Sequence, residues 1–162
     1  MATLIGPRAV ASFPVGGAIS APGLNVAWGY YNATSALAQN DVIHFCRLPK
    51  GATVVMGWFQ AADIDTGTEA LDIDIGWLAN GTDAADTDGF GNFGTLDGDA
   101  VSMFRPVAGI YYPFINIIQD SGYKTFAAET IVAGLVNTAA NAGGTGMLKV
   151  VCHYVMGGVA TP

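Results

Sequence analysis

The amino-acid sequence predicts an all-β protein: a single-domain jelly roll or β-sandwich of about eight strands with an extended N-terminal arm. Short apolar segments of strand length recur along the 162 residues. Segments rich in Gly, Pro, Asn and Asp, which are typical of turns, separate them. The apolar segments are also rich in Val, Ile and aromatic residues, which favour strands over helices.

Residues 1–24 are predicted to form the extended arm, and residues 25–162 the β-sandwich. The arm contains Pro7, Pro14 and Pro22 and shows no helical or strand periodicity. Such a segment cannot bury enough surface to fold by itself. Because it also carries apolar side chains, we expect it to lie on its own domain or on a neighbouring subunit.

The first half of the domain is predicted to contain four strands. Leu71, Ile73, Ile75 and Trp77 alternate with polar or small residues, as in a half-buried strand. The preceding run, residues 52–62, is apolar on both faces, which predicts a strand covered on both sides. The last three strands are expected to form a core meander, and residues 32–39 a helical turn or a loop. The predicted strands are 25–31, 42–48, 52–62 and 70–79.

The second half begins with a Gly-rich and Asp-rich segment, residues 80–100, which is predicted to be a long exposed loop. Pro113 is expected to place its strand at a sheet edge or a bulge. The segment 124–136 is also compatible with a helix, but its β-branched residues favour a strand. The predicted strands of this half are 101–104, 109–118, 124–136 and 147–156.

Composition excludes some classes of function. The net charge is −7 with six lysines and arginines, so no basic patch for nucleic acid can form. No apolar run reaches the length of a membrane span. The N-terminus lacks the pattern of a signal peptide, so we expect synthesis in the cytoplasm. Charged residues make up only 12%, which indicates a surface that lies against other protein surfaces.

Candidates for nucleophilic catalysis are few. His44 and His153 lie within predicted strands, where they are expected to be hydrogen-bonded structural residues. Cys46 and Cys152 also lie in apolar strands, and the sequence allows two buried thiols or one disulfide. Cys152 and His153 are neighbours on a strand, so their side chains are expected on opposite faces.

Carboxylates are the remaining candidates for chemistry. Asp72 and Asp74 share one strand face, close to Asp63 and Asp65. Glycosidases use a carboxylate pair, but they place it in an aromatic cleft. We therefore expect a solvated acidic strand face followed by a turn.

A calcium site is the second use of carboxylates that the sequence suggests. Asp83, Asp86, Asp88, Asp97 and Asp99 lie in one Gly-rich segment. That segment matches only a fragment of the EF-hand pattern. We predict that these residues cap turns, and we predict no catalytic, cofactor or metal site.

A family resemblance lies in residues 41–77. The run 40–52 reads NDVIHFCRLPKGA, residues 63–68 read DIDTGT, and residues 71–76 read LDIDIG. This order of turns and strands resembles small structural proteins from the head-gene region of tailed bacteriophages, namely the capsid decoration, or cement, proteins.

The resemblance implies a structural virion protein on the outer surface of a phage capsid, made in the host cytoplasm. Its partner would be the major capsid protein, and it would stabilise the assembled shell by bridging capsid subunits. A homo-oligomer is expected, with a trimer favoured. The low charge and the apolar arm agree with such a role, and contacts with nucleic acid or a membrane are not expected.

The alternative function is a carbohydrate-binding or receptor-binding jelly-roll module of the virion, with or without calcium. In that case Trp28, Tyr30, Tyr31 and Trp58 would stack on sugar rings. The competing expectation, which we favour, places these four aromatic side chains in the core.

Overall fold

The computed structural model describes residues 2–10, 23–65, 68–96, 110–116 and 122–156. Ten β-strands lie within these ranges. The first five are β1 (Thr3–Ile5), β2 (Leu24–Ala33), β3 (Val42–Leu48), β4 (Ala52–Ala61) and β5 (Asp72–Trp77). The others are β6 (Asp86–Gly91), β7 (Ile110–Pro113), β8 (Lys124–Thr125), β9 (Thr130–Thr138) and β10 (Gly146–Met156).

The strands form two sheets, which confirms the predicted sandwich. One sheet, the β3 sheet, has the order β1-β3-β9-β5-β6. The other, the β2 sheet, has the order β2-β10-β4-β7, with β8 paired to β4. Without the short β1 and β8, eight strands remain in chain order. Among these eight, β2 pairs antiparallel with β10, β3 with β9, β4 with β7 and β5 with β6. The first strand thus pairs with the last, and each following strand with the next one inward from the end. A hairpin folded over in this way is a jelly roll.

Several predicted strands match the structure closely. β3 has the predicted ends, β4 and β10 each differ by one residue, and β7 lies at a sheet edge as Pro113 predicted. The predicted strand 124–136 is divided into β8 and β9, which belong to different sheets. The predicted strand 101–104 lies outside the described residues.

Two expectations were wrong. The predicted long loop contains β6, because its Phe90 is buried and its backbone pairs with β5. The predicted meander does not form, because β4 belongs to the β2 sheet whereas β3 and β5 flank β9 in the β3 sheet.

The turn between β3 and β4 explains how neighbouring runs reach different sheets. The amide of Ala52 donates to the carbonyl of Pro49 over 3.1 Å, and Gly51 has a φ of 81°. A positive φ at the third position of such a turn is characteristic of type II and favours glycine. Packed sheets lie about 10 Å apart, a distance that about three residues can span. The turn therefore crosses the edge of the sandwich.

The core lies between the two sheets and is rich in aromatic side chains. Phe45 of β3 meets Phe59 of β4 edge to face, with 6.3 Å between the ring centroids. Near β6, Phe90 stacks on Phe114 at 4.6 Å and meets Trp77 at 5.1 Å. These contacts join the sheets and fix which face of each strand points outward.

The described part of the N-terminal arm lies on its own domain. β1 pairs in parallel with β3, which is otherwise the edge of its sheet. The buried carboxylate of Asp41 accepts hydrogen bonds from the amides of Ala2, at 2.9 Å, and Ala38, at 3.1 Å. Farther along, Arg8 reaches the ring of Trp28 in the other sheet. Residues 2–10 thus cover the side of the sandwich where β3 and β2 meet.

Candidate interaction surfaces

The outer face of the β2 sheet exposes an unusual amount of apolar surface. Leu24 is 58% exposed, Val26 48% and Met56 52%. Pairing places His153 between Val26 and Met56, and Val151 between Trp28 and Trp58. We call this surface the apolar face; its main residues are Leu24, Val26, Trp28, Tyr30, Met56, Trp58, Tyr111, Met147 and His153.

Close packing of the two sheets explains why large side chains point outward here. A Cβ atom on Gly29 would lie 1.9 Å from the carbonyl oxygen of Phe45. The inward positions of this part of β2 are therefore small, Ala27 and Gly29, and alternation sends Trp28 and Tyr30 outward. The expectation that these aromatic side chains lie in the core was thus wrong for Trp28 and Tyr30, and it is also wrong for Trp58, which lies on the outer side of β4.

Trp58 and Tyr31 complete the set of four aromatic residues. Trp58 lies on the outer side of β4, half-buried against Tyr111 at 5.9 Å and His153 at 5.1 Å. Tyr31, in contrast, points inward and packs against the core. Because Met56 and Gln60 are exposed beside Trp58, β4 is covered on one face only, and the prediction of two covered faces was wrong.

Charge is distributed unevenly between the two sheets. No acidic residue occurs in β2, β4, β7 or β10, although the chain has a net charge of −7. Among the described residues, the charged side chains at the apolar face are cationic: Arg8 lies 3.9 Å and Lys149 5.5 Å from the centroid of the Trp28 ring. Elsewhere, Arg47 forms an ion pair with Glu129, and Lys124 lies 3.5 Å from Asp83.

The β3 sheet carries an acidic cluster on β5 and β6: Asp72, Asp74, Asp86 and Asp88. Asp74 is only 6% exposed, and its Oδ2 accepts a hydrogen bond of 2.6 Å from Asn137 of β9. Burial raises the pKa of Asp74, and the charges of Asp72 and Asp88 act in the same direction. Burial and Asp88 likewise raise the pKa of Asp86. The expected solvated acidic face is therefore wrong for Asp74, which neighbouring strands cover.

Asp65 joins two loops rather than contributing to a carboxylate pair. It is 2% exposed and accepts four backbone hydrogen bonds, from Ala70, Leu71, Asn141 and Ala142, at 2.8–3.0 Å. Burial alone would raise the pKa of Asp65, but these four donors outweigh it and lower that pKa. This carboxylate is a structural anchor.

The residues proposed for calcium are dispersed. Asp83 accepts hydrogen bonds from Asn80 and from the amide of Ala127, whereas Asp86 and Asp88 belong to β6. Asp97 and Asp99 lie outside the described residues. Among the residues that the structure describes, no group of three or more His, Cys, Asp or Glu side chains is placed to hold a metal ion.

The histidines and cysteines occupy different settings. Cys46 and Cys152 are buried free thiols, and burial and the contact with Cys46 raise the pKa of Cys152. Cys152 points into the core and His153 outward, as alternation predicted. Burial lowers the pKa of His44. The Nδ1 atom of His153 is buried without a hydrogen-bond partner in the described structure, so the expectation of a hydrogen-bonded histidine was wrong for this atom.

Within the described residues, no helix is long and apolar enough to cross a membrane.

Comparisons with known proteins identify solved structures that have a similar fold. No protein-family model matches the chain, and no curated protein matches it. A chain in the capsid of Ralstonia phage GP4 superposes with a TM-score of 0.71 at 17% identity, covering 98% of this chain and 100% of that one. A chain in the capsid asymmetric unit of cyanophage Pam1 gives a TM-score of 0.54 at 21% identity, covering 85% and 92%. The chain therefore has a fold that occurs in phage capsids.

Proposed function

We propose that this chain is a structural virion protein that binds the outer surface of a phage capsid and stabilises the assembled shell by bridging capsid subunits. The observation that carries the proposal is the likeness to a chain in the capsid of Ralstonia phage GP4, which extends over 98% of this chain and all of the other. Two chains of matching extent and topology can fill the same kind of place in a particle. The proposed partner is the major capsid protein.

The surface of the chain supports this role. A net charge of −7 on a chain with only 12% charged residues leaves large uncharged areas, and the apolar face is one of them. Exposed apolar surface of this kind is typical of protein contacts. The proposed role is not enzymatic, and the proposed location is the capsid surface after synthesis in the host cytoplasm.

The physical mechanism is preferential binding to the assembled state. A protein that contacts several capsid subunits at once binds the closed shell and not the separate subunits, so it stabilises the shell by mass action. We further propose a homotrimer, because joining three weak contacts raises the overall affinity without a tight single contact. The N-terminal arm, residues 1–24, is proposed to contribute to contacts between copies or with the shell.

Co-sedimentation tests the proposal. The purified chain is mixed with empty shells assembled from the major capsid protein of the same virus, and with that protein unassembled. We expect the chain to pellet with shells at a fixed ratio, and the loaded shells to withstand a higher temperature or denaturant concentration. Failure to pellet with shells would contradict the proposed function.

A truncation tests the role of the arm. Removal of residues 1–24 is expected to abolish shell binding or assembly of the chain into trimers, measured by co-sedimentation and by light scattering. Circular dichroism of the truncated chain provides the control for folding. Unchanged binding and unchanged mass would remove the arm from the mechanism.

A carbohydrate-binding or receptor-binding role is the second candidate, and one observation favours it. Trp28, Tyr30 and Trp58, three of the four residues that this alternative function would use to stack on sugars, share the apolar face. Binding to an array of bacterial glycans, with and without EDTA, tests this role and its dependence on calcium. Glycan binding that Trp58→Ala abolishes would support this second function.

A further inference from the structure

We propose that the apolar face is the surface that docks on the capsid shell, and that the matching patch of the shell is apolar and carries carboxylates that meet Lys149. This inference rests on the proposed function and adds to it the contact surface and the chemistry of the partner. The juxtaposition that points to it is an exposed aromatic and aliphatic sheet face whose four strands contain no acidic residue.

Three aliphatic side chains of the apolar face are strongly exposed. Leu24, Val26 and Met56 are each about half exposed, at 58%, 48% and 52%, and they lie on adjacent strands of one face. Sheet faces in monomeric proteins that meet water usually carry polar side chains. Burial of such side chains against a partner removes apolar surface from water and is therefore favourable. The face is therefore built to be covered.

The positive charge on the apolar face indicates the chemistry of the partner surface. Lys149 lies within the face on β10, between Tyr30 and Gln60 and 5.5 Å from the centroid of the Trp28 ring, and the strands of this sheet contribute no carboxylate beside it. A partner that places a carboxylate opposite Lys149 would gain attraction there, while the surrounding contact stays apolar. An acidic partner surface would be repelled by the acidic cluster on the opposite sheet, so the orientation is also determined.

A second copy of the chain fits this face less well. In a two-fold contact each copy presents the same surface, and the strands of that surface offer no carboxylate to Lys149 of the other copy. A sugar also fits less well, because Arg8 lies over the Trp28 ring at 3.9 Å and the Trp58 ring is flanked by Tyr111 and His153. The experiment below distinguishes the shell from a second copy of the chain and from a sugar.

The test compares variants of full-length chain in co-sedimentation with shells of the major capsid protein of the same virus. Met56→Glu and Val26→Glu place a carboxylate in the face, and Lys149→Glu reverses the one charge that β10 contributes to it. Ala85→Glu is the matched control, because it adds the same charge at an exposed position in the loop that leads into β6. Met56→Gln serves as a milder variant if Met56→Glu does not fold, as judged by its melting curve.

We expect Met56→Glu and Val26→Glu to weaken shell binding by about ten-fold or more, because each buries a charge at the contact. Lys149→Glu is expected to weaken binding less and to reduce its dependence on salt, while Ala85→Glu binds as the wild type does. If the wild type binds shells and all variants bind equally, the inference fails and the proposed function stands. If the wild type does not bind shells, the proposed function itself fails.

Two further outcomes would also overturn the inference. If the face variants bind shells normally but change the mass of the free chain in light scattering, the face joins copies of the chain. If the wild type binds glycans and Trp58→Ala abolishes that binding while shell binding is unchanged, the face is a sugar site.

Discussion

At the scale of single residues, two buried aspartates affect stability in opposite directions. Asp65 is held by four backbone donors, which lower its pKa despite burial. Asp74 is held by one side-chain donor, and its Oδ1 atom is buried without a hydrogen-bond partner in the described residues, so burial raises its pKa. The ionised carboxylate of Asp65 therefore stabilises the fold, whereas that of Asp74 destabilises it.

Asp65→Ala is expected to destabilise the fold by at least about 2 kcal/mol, because it leaves several backbone donors without an acceptor. The contribution of Asp65 is present above the ordinary pKa of an aspartate and is lost as the pH falls through the lowered pKa of the folded state. Denaturation in urea measures the loss. The variant and the wild type should differ most at pH 7 and less at strongly acidic pH; an equal difference at all pH values would contradict the charge-based account.

Asp74→Asn is expected to stabilise the folded chain at pH 7 by on the order of 1 kcal/mol, because it removes a poorly solvated charge. The amide oxygen can still accept the hydrogen bond from Asn137. A raised pKa means that wild-type stability falls as the pH rises from the ordinary aspartate pKa through that of the folded state. The advantage of the variant should therefore shrink towards pH 4, and a variant less stable at pH 7 would contradict the account.

At the scale of elements, the approach of β2 to β3 determines which side chains reach the surface. Gly29→Ala is expected to cost more than about 2 kcal/mol, since the added methyl group meets the backbone of Phe45 and the sheets would have to separate. Thermal unfolding measures this loss. Gly81→Ala offers a contrast, because a Cβ there meets nothing within 4 Å and its cost comes from a φ of 88° alone. Equal losses in the two variants would contradict the argument from packing.

The N-terminal arm is a second element whose attachment can be tested. Asp41→Asn replaces a carboxylate that accepts from the amides of Ala2 and Ala38 with an amide that has one acceptor. We expect faster hydrogen exchange at the amides of β1 and β3 and little change in β10. Exchange that stays as slow as in the wild type would show that the strand pairing of Thr3–Ile5 alone holds the arm.

Local patterns predicted the strands well where side chains and turns agreed. The β-branched run of β3, bounded by Asn40-Asp41 and the Pro49 turn, gave both of its ends. β6 was missed because DTDGFG resembles a loop, and only its pairing with β5 and the burial of Phe90 make it a strand. The outward direction of Trp28 was missed because it depends on a contact between Gly29 and another sheet, which no local pattern contains.

Local sequence patterns also could not predict how the strands are arranged in the two sheets. The alternation of β5 correctly placed Ile73 and Ile75 in the core. It could not show that β3, β4 and β5 do not pair with one another. β3 and β5 pair with β9 instead, and β4 pairs with β10, and both partners come late in the chain. The apolar face has the same origin, because it forms from four strands that are distant in sequence.

At the scale of the whole molecule, the two sheets present different chemistry. One carries carboxylates on β5 and β6, and the other carries aliphatic and aromatic side chains with cations near Trp28. This asymmetry agrees with the proposed function, in which one face meets the shell and the other meets water. The acidic cluster would then face away from the shell and help to keep particles apart by repulsion.

A cryo-electron microscopy reconstruction of shells with and without the chain tests the central claim most directly. The account predicts additional density on the outer surface that fits the jelly roll, contacts more than one capsid subunit and presents the apolar face to the shell. Absence of that density at saturating concentrations of a folded chain would contradict the proposed function.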